Sequence, residues 1–165
     1  MKRPPVQRLT SYWKIDAGHV VLIPALADYS VLKLEGTISN ALVFSGVACS
    51  FLLVIGTIGL RMMLGKARGE ANATASPLPL LIWMRWPAIG LCLAAATAIV
   101  GEWVDGSSEF SSQYVVPVLL FSLAILEYVN YYRVQLQHFD HAPDWQRLIS
   151  GRGFRRSHLA REIDR

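Results

Sequence analysis

Ionisable residues are scarce in this sequence: Asp, Glu, Lys and Arg make up 17% of its 165 residues, against roughly 25% in an ordinary soluble domain. Only two cysteines are present, which excludes a disulfide-stapled scaffold. Disorder is excluded as well, because 53% of the chain is apolar and a solvated, unfolded chain cannot carry that much apolar surface. The short motifs of the commoner chemistries are also missing. No GxxxxGK[ST], GxSxG, HExxH, CxxC or GxGxxG occurs, so phosphate-cradle, serine-hydrolase, common zinc and dinucleotide readings lack support. No cofactor is expected, and an enzyme is the less favoured reading.

What the sequence does have is long apolar runs. Crossing a hydrocarbon core of ~30 Å takes ~20 residues at about 1.5 Å each. Ala41 to Leu60 meets this without a charge; Leu80 to Val104 carries Arg85 near its start and Glu102 near its end; Tyr114 to Tyr132 carries Glu127 as its only acid. A fourth stretch, Ala17 to Leu34, is shorter and contains His19, Pro24, Asp28 and Lys33. Charge distribution favours its spanning. If it does, Lys2, Arg3, Arg8, Lys14, Arg61, Lys66, Arg68 and the seven arginines from Arg133 to Arg165 all fall on one side, as the positive-inside rule requires. The opposite loops, Glu35 to Asn40 and Asp105 to Gln113, hold no Lys or Arg.

The expected fold is therefore all-α: an up-down bundle of four transmembrane helices over about 17–34, 41–62, 80–104 and 114–133, with both termini cytoplasmic. The alternative is three spans plus an interfacial N-terminal helix. Residues 1–16 read as a basic cytoplasmic segment without signal-peptide character, and 136–165 as an Arg-rich cytoplasmic tail. A multi-pass protein of the bacterial inner membrane is the expected setting. Tyr12, Trp13, Trp83, Trp86, Tyr131 and Tyr132 would form the inner aromatic belt, and Trp103, Phe110 and Tyr114 the outer one.

Helices in lipid associate through small residues that let backbones approach. The second span offers Gly46 and Ser50 at spacing four, with Gly56 and Gly59 further on, and on the third Gly90, Ala94, Ala98 and Glu102 recur every four residues, a stripe expected to face protein. Cys49 and Cys92, at mid-span, read as inert packing residues.

An acid or base within a span costs about 2.5–3.5 kcal/mol on insertion scales, so such residues are suspects for function. Glu127 is the strongest. Arg85 lies at similar depth, and a buried Glu127–Arg85 ion pair is expected, with Asn130, Tyr131 or His19 completing the hydrogen bonds. Such a pair could simply fix register, or Glu127 could bind a proton, a cation or a polar ligand. Asp28 is a second suspect: Pro24, four residues earlier, removes a backbone donor and could admit water to the acid. Glu102, Asp105 and Glu109 read as solvated.

Beyond the last span, His138, Asp140, His141 and Asp144 offer metal-ligand chemistry at close spacing, but no HExxH or cysteine pair accompanies them and no metal is expected. The tail continues with Arg147, Arg152, Arg155, Arg156 and Arg161 between apolar residues, with Ser157 placed to cap a short helix from His158. These arginines suit anionic lipid at the cytoplasmic face or a protein partner; nucleic acid is not expected, because no recognition module accompanies the charge. The leading functional expectation is a non-catalytic accessory, assembly or scaffold subunit of a larger membrane complex or a homo-oligomer. The alternatives are a small proton- or cation-coupled transporter using an intramembrane carboxylate, and an enzyme acting on a lipid or quinone.

Overall fold

A computed structural model describes residues 5–75, 77–105, 112–136, 150 and 153–163. Among them there is no β-strand; the chain forms α1 (Pro5–Glu35), α2 (Asn40–Ala67), α3 (Pro77–Val104), α4 (Ser112–Tyr132) and a short α5 (His158–Ile163). The first four are long and apolar enough to cross a membrane. α1 starts well before Ala17, so the segment ahead of the apolar stretch is continuous helix with it, and Leu9–Glu35 forms the candidate span.

Local chemistry sets the ends. Gly36 has φ 74°, a left-handed conformation open to glycine, and its N–H donates to the Leu32 carbonyl at 3.0 Å, closing α1. Ser39 begins α2 by accepting from the Leu42 N–H at 3.2 Å. Glu102, expected in solvent, instead accepts the Ala41 N–H at 2.8 Å, placing its charge at the positive end of α2. Gln113 Nε2 donates to Thr37 Oγ1 at 2.6 Å, so the α1–α2 turn, the end of α3 and the start of α4 meet at one level.

α2 is the centre of the molecule. In its apolar window 56% of the residues are buried, against 6% for α1 and 22% each for α3 and α4. It packs against all three, which is why it is apolar on every side. α1 lies on α2 along one stripe in which Val20, Ile23 and Ala27 pack against the core and Val31 is fully buried. Gly46 on α2 faces Pro24. The α3 stripe turned into the core is Leu81, Met84, Ala88, Cys92, Ala95 and Ile99. The expected Gly90–Ala94–Ala98 stripe is not that face: Gly90 is exposed and Ala94 and Ala98 are half-buried, because the bulkier row fills the space beside α2.

α5 folds back onto the bundle. The Ser157 hydroxyl donates to the Tyr131 carbonyl and accepts the Ala160 N–H at 3.0 Å, capping α5. Gln135 N–H donates to the Arg155 carbonyl at 2.8 Å, and Lys66 Nζ reaches Glu162 Oε1 at 2.6 Å. Leu159 and Ala160 are buried as a result.

Candidate functional site

One cluster of polar residues from α1 and α4 lies near the α5 end. Asp16 lies one turn before Val20 on the stripe of α1 that packs on α2, which points its carboxylate inward. Its counterpart is Tyr131 on α4. Asp16 Oδ2 and the Tyr131 hydroxyl are both buried without a hydrogen-bond partner. They meet over Gly56: a Cβ there would overlap the Tyr131 hydroxyl and stand 3.0 Å from Asp16 Oδ2. Glycine is what allows α1 and α4 to bring these groups together across α2.

Glu127 stands one turn before Tyr131 and acts electrostatically on Asp16, Tyr131 and Cys49. His19, three residues after Asp16, is a further neighbour of that acid. Asn130 is 7% exposed; its Nδ2 donates to Glu127 Oε2 at 3.5 Å and its Oδ1 accepts the Leu136 N–H at 2.8 Å. A pocket of about 80 Å³, lined by Gly56, Gly59, Met63, Asn130, Tyr131 and His158 among others, opens beside the cluster. Two carboxylates, an imidazole and a phenol are thus gathered at one level of the bundle.

Arg85 is not part of this cluster. No Glu127–Arg85 ion pair forms; Arg85 Nε donates to the Tyr128 hydroxyl at 3.2 Å, and the guanidinium lies 5.9 Å from the centre of the Trp86 ring. Arg85 and Glu127 face different neighbours. Successive helix residues are turned by about 100°, so Tyr128 faces α3 while Glu127 faces α1 and α2. Asp28 is half-buried and has no hydrogen-bond partner among the described residues. The carbonyl that Pro24 leaves free, that of Val20, is taken by the Ser50 hydroxyl, so a protein group fills the role assigned to water.

His138, Asp140, His141, Asp144, Arg147 and Arg152 lie outside the described residues, and among the described residues no group of three or more His, Cys, Asp or Glu is placed to hold a metal. Arg155, Arg156 and Arg161 are exposed. Asp16 is the member of the cluster that sequence reasoning missed. The available signal was the helical spacing of Asp16, Val20, Ile23, Ala27 and Val31, which continues the buried stripe past the boundary drawn at Ala17.

The fold defines a class: an all-helical protein with four helices long and apolar enough to be the spans of a multi-pass membrane protein. No protein-family model, curated protein or solved structure matches the chain.

Proposed function

We propose that the chain is a non-catalytic accessory or assembly subunit of a bacterial inner-membrane complex, built as an up-down four-helix bundle with both termini on the cytoplasmic side. The observation that carries this reading is the outward face of α3. Gly90 and Gly101 recur on one side of the helix, Thr97 between them is exposed, and nothing lies within 4 Å of a Cβ built at either glycine. Small residues on a face turned from the bundle let a foreign helix approach to backbone contact. The one-sided distribution of Lys and Arg supports the orientation. The test is purification from native membranes after Gly90→Leu. Since the new side chain meets open space in the monomer, the protein should keep its melting temperature and lose a stoichiometric partner or its own second copy. Co-purification unaffected by Gly90→Leu counts against the reading.

A second reading, proton- or cation-coupled transport, is favoured by the meeting of Asp16, Glu127 and Tyr131. It requires that Asp16→Asn or Glu127→Gln abolish ion-coupled flux in proteoliposomes while the bundle stays folded; flux that survives both substitutions removes it.

A further inference from the structure

Arg85 carries a charge and pairs with no carboxylate among the described residues. Arg61 pairs with Glu70 and Lys66 with Glu162, whereas Arg85 is held by neutral groups. Its Nε is committed to Tyr128, its Cζ lies 5.9 Å from the centre of the Trp86 ring, and Tyr128 is itself fixed: its ring sits 5.1 Å from that of Tyr132, whose hydroxyl donates to the Leu81 carbonyl at 2.7 Å. A guanidinium anchored through Nε, with an indole 5.9 Å away, keeps its two terminal nitrogens for a further acceptor.

Depth says what those nitrogens meet. α3 has 28 residues, hence a length of about 42 Å, which matches a bilayer of about 40–45 Å including its headgroup zones around a ~30 Å core. Arg85 is eight residues beyond Pro77, about 12 Å along the helix, so its Cα lies about 6 Å inside the hydrocarbon boundary. An extended arginine covers such a distance by snorkelling toward the headgroups. Trp86, 69% exposed, marks the same level, where indoles favour the interface. A cation at this depth that no described carboxylate compensates calls for an anion, and the anion a bilayer offers at that level is lipid phosphate.

We propose that the seam between α3 and α4 at Arg85 is a binding site for one anionic phospholipid. The terminal guanidinium nitrogens hold its phosphate and Trp86 packs beside its headgroup. The site depends on the membrane-spanning reading of α3 and is independent of whether the chain is an accessory subunit.

The test uses the full chain in a neutral detergent, titrated with phosphatidylglycerol or phosphatidylcholine, with bound lipids counted by native mass spectrometry. The first phosphatidylglycerol should bind in preference to phosphatidylcholine. Arg85→Gln should weaken it about fivefold or more, the order expected for one guanidinium at a lipid surface. Arg85→Lys, which keeps the charge without the fork, should fall between. Trp86→Ala removes an exposed ring, so it stays foldable if Arg85→Gln does not, and should show a smaller loss. Arg156→Gln, on the tail, should leave this lipid in place. Equal binding by wild type, Arg85→Gln and Trp86→Ala overturns the site, as does loss of the preference in Arg156→Gln instead. If Arg85→Gln releases a co-purified protein and leaves lipid binding unchanged, Arg85 serves a partner's carboxylate and the proposal is wrong.

Discussion

The Ser50 hydroxyl on α2 donates to the Val20 carbonyl on α1 at 3.1 Å. Val20 lies four residues before Pro24, whose ring has no N–H to offer it, so the hydroxyl from the neighbouring helix replaces a hydrogen bond that the helix itself cannot make. With lipid as solvent, no water stands ready to do so.

Ser50→Ala should therefore cost about 1 kcal/mol, the scale of an interhelical hydrogen bond in a membrane. The coupling is the sharper test. In a Pro24→Ala background the Val20 carbonyl regains an amide partner, and Ser50→Ala should then cost less by about 0.5 kcal/mol or more. Unfolding in mixed detergent micelles measures the cycle; strictly additive substitutions would show that the contact is incidental.

At Gly56 two effects oppose each other. Alanine is the better helix former by about 1 kcal/mol, whereas overpacking a core costs about 1–3 kcal/mol. A Cβ here meets both Tyr131 and Asp16, so the second effect should win and Gly56→Ala should lower the melting temperature. Tyr131→Phe removes a buried hydroxyl with no partner and should change stability little. The double variant should recover part of the Gly56→Ala loss, because the clashing atom is gone. A Gly56→Ala protein as stable as wild type would place Tyr131 elsewhere.

Glu102 ties α3 to the start of α2 through the Ala41 N–H. Glu102→Ala should destabilise the protein by about 1 kcal/mol, since it removes both an acceptor and a charge at the helix N-terminus. Glu102→Gln keeps the acceptor and should lose roughly half as much. Thermal melts of the three proteins side by side decide this; no difference between wild type and Glu102→Ala would leave Glu102 as a solvated residue.

The helices were legible in the sequence because each carries about twenty apolar residues between polar breaks, and turn residues such as Gly36 and Ser39 state where the chain must reverse. Within the site, Glu127, Asn130 and Tyr131 stood out because polar groups are costly at that depth. Asp16 did not, because hydropathy ends the apolar stretch at Ala17 while the helix and its buried stripe continue below it. Glu102 looked solvated for a related reason: an acid at a span end is unremarkable until the neighbouring helix brings an unpaired amide to it.

Composition and periodicity by themselves determined that this chain is helical, how many helices are long and apolar enough to cross a bilayer, and where along each apolar run its polar residues fall. Those properties follow from rise per residue and from the cost of placing charge in hydrocarbon, both local to one helix. The tertiary structure alone decided direction: that α2 occupies the centre, that Glu127 turns toward Asp16 and Gly56 while Arg85 turns to Tyr128, and that the glycine row of α3 faces outward. Direction around a helix axis has meaning only relative to a neighbour, and which neighbour fills which groove is set by the packing of all the helices together.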